Sequence, residues 1–336
     1  MGTEVSMRQI LIGLTGLGLV AACEPSAGEE RTGELPDKAG QKTLAQTAAN
    51  AASNEVYGKP PNGTREALPQ TLIEASRFTL TQQWELDGFT HPQGIVQTAA
   101  GDYLIANSSG GSDEAGADGW LSKVSADGDM VSERFATGMT APGGMVIDRG
   151  VLYVADGSEI HMVDPGNGVL LRTISVPEAE ALTDIAALNA TLYAIDSANA
   201  TLYQIAGAEV FTWFQDKHFV GARTLTSTAD ALLVPNADNG QIYLIDEARA
   251  ISKAANAAKG INSVAEAPGG YLATAAPGKL IFVSQSAETE TLLDTGSNGI
   301  LQSHLHVFGD TVIALHPLPG AVTAWQIGPQ KDVEID

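Results

Sequence analysis

The sequence predicts an all-β fold, six four-stranded units closed into a ring as a six-bladed β-propeller, and three observations carry that prediction. A pattern of short apolar strands separated by Gly, Asp or Asn turns recurs about every forty residues from Phe89 onward. The last copy is one strand short. An unrepeated strand-like segment precedes the first copy and supplies the missing strand. A single four-stranded blade cannot bury both of its faces, so a repeat of this period implies neighbours stacked around an axis.

The first copy reads THPQGIVQTAAGDYLIAN (Thr90 to Asn107), the second TAPGGMVIDRGVLYVAD (Thr140 to Asp156) and the third LTDIAALNATLYAID (Leu182 to Asp196). Three weaker copies follow: ARTLTSTADALLVPN from Ala222, INSVAEAPGGYLATA from Ile261 and QSHLHVFGDTVIALH from Gln302. Gly94, Gly144, Ile185, Thr224, Ser263 and His304 mark equivalent points, at intervals of 50, 41, 39, 39 and 41 residues. The second unit shows a whole blade, with strands over Gly144 to Asp148, Val151 to Ala155, Glu159 to Val163 and Gly168 to Ile174. The sixth has three, Ser303 to Phe308, Thr311 to His316 and Ala321 to Ile327. Residues 77 to 86 alternate in polarity as a half-buried strand does and are expected to complete that sixth blade, so that the ring closes without an exposed sheet edge.

The long first interval comes from SSGGSDEAGADG (Ser108 to Gly119). Asp113, Glu114 and Asp118 lack the alternating ligand spacing of a calcium loop, and the segment reads as a solvated insertion.

The chain has 336 residues and a net charge of −22, with no Lys/Arg cluster. Nucleic acid and anionic membrane surfaces are therefore excluded as partners, because both are bound through Lys and Arg. The domain is expected to be monomeric.

Ile10 to Ala22 is an apolar run too short to span a bilayer and of the length of a signal-peptide core. It ends in Leu19-Val20-Ala21-Ala22-Cys23, which resembles the lipobox of bacterial lipoproteins. That resemblance implies a signal peptide over 1–22 and acylation of Cys23, the only cysteine. Glu4 is out of place in a region that is ordinarily basic, which fits a start at Met7. Glu24 after the Cys implies the outer membrane, with the chain facing the periplasm or the surface and touching the membrane through its lipid alone. Residues 23–75, rich in Ala, Gln, Thr and Pro, read as a flexible linker, 76–328 as the propeller and 329–336 as a polar tail.

Each inner strand and its hairpin partner run antiparallel, so the start of the first and the end of the second lie at one rim of the ring. Gln93, Thr183, Asp184, Arg223, Asn262 and Ser303 belong to the first set, and Asn107, Asp156, Asp196, Asn236 and His316 to the second. Polar groups around a channel mouth make a candidate site for a small molecule or a protein segment. Asp156 and Asp196 have a second reading, as turn formers that bond the neighbouring backbone. His304 and His306 share a strand face. If Gly309-Asp310 is a two-residue turn, His316 falls on the other face, which argues against a three-His zinc site. No Gly-x-Ser-x-Gly or P-loop pattern occurs.

The elements HPQG, APGG, LYVAD and LYAID resemble the NHL-repeat and SMP-30/gluconolactonase-like propellers. The resemblance spans Phe78 to Ile327 and implies either a binding module or a lactonase that holds a divalent cation such as Ca2+ with a Glu, two Asn and an Asp. The position of that Glu is Gln93 here, and that of the second-blade ligand is Gly143. Only Asp184 and Asn262 remain as candidate metal ligands, with Arg223 or His316 available to stabilise negative charge in the lactonase reading.

Overall fold

The computed structural model describes residues 79–108, 118–286 and 288–328. The signal peptide, Cys23, the linker, Asp113, Glu114 and the polar tail lie outside the described residues.

The described residues run through twenty-four strands. β1 is Leu80–Asp87; β2 to β5 are Gly94–Gln97, Tyr103–Ser108, Gly119–Val124 and Met130–Met139; β6 to β9 are Pro142–Asp148, Val151–Asp156, Glu159–Val163 and Leu170–Ser175. β10 to β13 are Leu182–Leu188, Thr191–Asp196, Thr201–Ala206 and Glu209–Gln215; β14 to β17 are Thr226–Ser227, Ala231–Asn236, Gln241–Asp246 and Ile251–Asn256. β18 to β21 are Ile261–Ala267, Gly270–Ala275, Lys279–Ser284 and Thr289–Asp294, and β22 to β24 are His304–Phe308, Thr311–His316 and Ala321–Ile327. Each consecutive group of four from β2 forms one antiparallel sheet, blades 1 to 5 in order. Blade 6 has the order β22, β23, β24, β1. The protein is a six-bladed β-propeller, and the expected closure is present: Leu80 pairs with Ile327 and Asp87 with Ala321.

The strand limits differ from expectation by a few residues. The seam strand begins at Leu80, not at residue 77, and the inner strand of blade 2 starts at Pro142. The inner strand of blade 4 is only two residues long, which accounts for the weakness of that copy in the sequence.

Alternation decides the packing. In β3, Leu104 and Ala106 join Leu152 and Val154 of blade 2, whereas Tyr103 and Ile105 join Ile313 and Leu315 of blade 6. Both faces of the strand are buried, so its run is apolar throughout. The same division gives one apolar cluster between every pair of adjacent blades, six in all among the described residues. Full burial of a Leu or Ile contributes about 1.5–3 kcal/mol, so the interfaces between blades, not the blades themselves, hold the ring together. At the seam, Trp84 Nε1 donates to the Ala126 carbonyl of blade 1 at 3.0 Å, which fixes β1 against its neighbour.

Candidate functional site

The inner strands meet edge to edge around the axis, and the fit depends on small residues. A Cβ on Gly94 of blade 1 would lie 2.2 Å from the Gly143 carbonyl oxygen of blade 2, and one on Gly143 would lie 2.6 Å from that of Thr183 in blade 3. Further round, Thr224 Oγ1 donates to the Asn262 carbonyl at 2.8 Å and Ser263 Oγ to the Leu305 carbonyl at 3.2 Å. These bonds join blade 4 to 5 and 5 to 6.

At the start of the inner strands the ladder is irregular. The register shifts between Leu182 and Asp184, between Ile261 and Ser263 and between Pro142 and Met145. A bulge of this kind leaves one residue unpaired and re-aims its side chain. The residues so released are Thr183, Asn262 and Gly143. Gln93 and Ser303 hold the same place, their amides donating to the Ala106 and Leu315 carbonyls just before the first ladder pair. Arg223 precedes buried Thr224 in blade 4. Gln93, Gly143, Thr183, Asn262 and Ser303 are half-buried and Arg223 is exposed, while the residue after each is buried. The six positions are equivalent, one per blade, and make a ring around the axis at the start of the inner strands.

The second expected set behaves differently. Asn107 is fully buried, accepts the Thr90 amide at 3.0 Å and donates to the Ile105 carbonyl and to Ser122 Oγ. Asp156 accepts the Thr140 and Ala141 amides, both at 2.7 Å, and His161 Nε2 donates to it at 2.9 Å. Asp196 accepts the Glu180, Ala181 and Ala198 amides. Asn236 donates to the carbonyls of His218 and Val220. His316 donates from Nδ1 to the Leu301 carbonyl at 3.3 Å and takes a bond from Thr323 Oγ1 at 2.8 Å on Nε2. Each of these residues ends the second strand of its blade and staples the segment that leads into the first strand of the same blade. They are turned into the blades, and the turn-forming reading given to Asp156 and Asp196 extends to Asn107, Asn236 and His316. Blade 5 has Ala275 at this point, fully buried.

Asp184 lies one residue below the ring. Oδ1 accepts the Ile185 amide and Oδ2 the Leu225 amide, each at 2.8 Å, and a Cβ on Gly144 would overlap Oδ1. Burial pushes its carboxyl up to about 7, against the pull of the two amides. The Gly-Gly of APGG is therefore the complement of the Thr-Asp in the next blade, a pairing that two separate motifs forty residues apart do not announce.

His304 is the equivalent residue of blade 6. It is 6% exposed, and neither ring nitrogen has a hydrogen-bond partner. Burial, with His306 and Arg223 nearby, lowers its pKa to about 3, so the ring is neutral. Thr183 Oγ1 and Ser303 Oγ are likewise buried and unpartnered. His304, His306 and Phe308 share the face toward blade 1, with Leu315, Ile313 and Thr311 opposite them, and His316 lies on the other face as the turn geometry required.

Solved structures share this architecture. A virginiamycin B lyase from Staphylococcus aureus superposes with a TM-score of 0.52 at 13% identity, over 74% of this chain and 99% of that one. A streptogramin B lyase gives 0.52 at 12% identity over 75% and 98%. A structural genomics protein of unknown function from Bacteroides thetaiotaomicron VPI-5482 gives 0.56 at 11% identity over 73% and 72%. What is shared is the propeller fold. No family model and no curated protein matches the sequence.

The divalent cation implied by the lactonase-like resemblance does not fit the residues present. Gln93 is a neutral amide, Gly143 has no side chain, both Asp184 oxygens are taken by amides, and among the described residues no three His, Cys, Asp or Glu side chains gather. Asp118, the described member of the acidic insertion, is ion-paired with Arg134 at 2.8 Å.

Proposed function

We propose that this chain is a lipid-anchored binding module, acylated at Cys23 and held at the outer membrane by the 23–75 linker, whose channel mouth takes a small polar molecule or a polar protein segment. The observation that carries this reading is the ring of Gln93, Thr183, Arg223, Asn262 and Ser303, in which the Thr183 and Ser303 hydroxyls are buried without a hydrogen-bond partner. Buried polar groups are satisfied in most folded proteins, and a set left open at the mouth of a channel is what a ligand completes. On this reading the chain is a divergent NHL-repeat and SMP-30-like propeller without the cation ligands.

The test begins with chelator-treated protein, whose thermal unfolding is followed with small polar compounds and separately with calcium, manganese, magnesium and zinc. A ligand of the folded state raises the melting temperature by mass action. The expected result is a saturable rise with an organic compound, lost in Asn262→Ala and Thr183→Val, and none with metal. A metal-dependent rise removed by Asp184→Ala, together with hydrolysis of a sugar lactone or aryl ester, would replace this reading by a lactonase.

A further inference from the structure

We propose that the channel mouth is an oxyanion site whose ligand is a small compound bearing a carboxylate or phosphate group; this rests on the reading that the mouth binds a ligand. The ring of six residues contains one charge. Gln93, Gly143, Thr183, Asn262 and Ser303 are neutral, and Arg223 is an exposed guanidinium. Among the described residues no carboxylate forms an ion pair with Arg223; Arg134 and Arg149 pair with Asp118 and Asp148, while Arg172 and Arg249 share the unpaired state of Arg223 away from the ring. Asp184 is engaged by two backbone amides one layer below. In a chain of net charge −22, Arg223 is the one cation among the six ring positions, and it has no acidic partner there.

The groups beside it are donors. Blades 4, 5 and 6 are joined in succession by the Thr224 and Ser263 hydroxyls, so Arg223, Asn262 and Ser303 are consecutive on the rim. Ser303 Oγ and Thr183 Oγ1 each carry a hydroxyl proton with no acceptor in the protein. Beneath Ser303 is the His304 ring, nine-tenths buried, with two unpartnered nitrogens. Neutral imidazole carries one N–H, and the Asn262 and Gln93 amides carry two each. A planar fork of guanidinium N–H groups pairs with carboxylate or phosphate in a bidentate manner, with bonds about twice as strong as those between neutral groups. Hydroxyls and amides alone accept a neutral ligand equally well; the unopposed guanidinium decides for an anion.

Thermal unfolding of the purified full-length chain tests the proposal with matched probes: succinate against succinamide, gluconate against glucose, and glycerol 3-phosphate against glycerol. The expected result is a saturable rise in melting temperature with at least one anion and none with its neutral counterpart, weakening as NaCl is raised. Whether succinate and gluconate or glycerol phosphate gives the rise distinguishes a carboxylate from a phosphate ligand. Arg223→Gln abolishes the rise while its ligand-free melting temperature stays within about 2 °C of the parent, because exposed side chains contribute little to stability. Arg223→Lys keeps part of it, and Asn262→Asp, which puts a carboxylate beside the guanidinium, weakens it. Equal rises with acid and neutral counterpart, or a rise that survives in Arg223→Gln, overturn the oxyanion assignment and leave the binding reading in place. Silence from every anion while a neutral compound binds overturns it as well, and silence from every probe overturns both.

Discussion

The Leu225 amide of blade 4 donates to Asp184 Oδ2 of blade 3 at 2.8 Å, and the same carboxyl lies under Gly144 of blade 2. One side chain thus touches three of the six blades. Its burial raises its pKa from 3.8 to about 7, so between those values the folded protein keeps a proton that the unfolded chain releases. Stability from this group is fully present below about pH 4 and is lost as pH rises through about 7.

Asp184→Asn isolates that contribution. The variant presents one acceptor to two buried amides and at pH 4, where the parent's carboxyl is protonated, is less stable by about 1–3 kcal/mol for the amide left unpaired. The informative quantity is the difference in melting temperature between parent and variant, which is expected to shrink from pH 4 to pH 7 and level off above. A difference independent of pH would mean that Asp184 ionises as an exposed carboxylate does.

The staples and the rim residues should separate in a stability scan. Asp156→Ala strands the Thr140 and Ala141 amides and the His161 ring, and a loss of about 3 kcal/mol, roughly 6–12 °C, is expected. Burial pushes the Asp156 carboxyl up, but the His161 bond and the two amides outweigh it and hold it below its usual value, so this stability is lost in acid. Gln93→Ala and Thr183→Val leave no buried amide unpaired and are expected to stay within about 0.5 kcal/mol of the parent. Equal losses at Asp156 and Gln93, measured by denaturant melts, would contradict the division into two sets.

This division marks the limit of what the residues reveal in one dimension. The hairpin of blade 6 was legible, because Gly309 takes a left-handed φ of 64° in a two-residue turn and the register of Phe308 with Thr311 follows from it. The seam was legible because an alternating segment without a repeat has nowhere else to pair. Asn107 and Gln93 looked alike, by contrast, since each is a polar residue at a strand end. What separates them is that Gln93 sits half-buried just before the first ladder pair, its amide on the Ala106 carbonyl, whereas a bond from the Thr90 amide, seventeen residues back, holds Asn107 in. Neither leaves a mark in composition or period. His304 enters the sequence reading as a repeat marker and as a member of a three-His zinc site that the turn geometry argues against, and the isolation of its two ring nitrogens from any hydrogen-bond partner depends on packing across the blades.

The seam gives the third prediction. β1 covers β24 along its whole length, from Leu80 opposite Ile327 to Asp87 opposite Ala321. Removing residues through Asp87 exposes that edge and takes Leu80 and Trp84 from the blade interfaces they fill. An open edge of this length is a template for aggregation. The shortened protein should be insoluble or lack a cooperative melt, while removal through residue 78 should leave the melting temperature unchanged. A soluble, cooperatively unfolding protein that begins at Gly88 would show that the ring closes without its N-terminal strand.

The histidines of blade 6 set an opposing pH dependence. Burial lowers His304 to about 3, with His306 and Arg223 adding to the effect, and lowers His306 to about 4. Both are depressed below 6.5, so the unfolded chain binds protons that the folded protein refuses. Their stability is fully present above about pH 6.5 and is lost as pH falls toward 4. This is the reverse of Asp184, over an overlapping window; one aspartate offsets about half of the slope of two histidines, so between pH 4 and 6.5 the parent loses stability on acidification less steeply than the histidines alone dictate. The variants unmask them. In Asp184→Asn the melting temperature should fall more steeply on acidification than in the parent. In a His304→Gln, His306→Gln double variant it should instead rise as pH is lowered from 7 toward 5. Parallel profiles for the parent and both variants, measured by calorimetry in one buffer series, would exclude buried titration at the channel wall as the source of either slope.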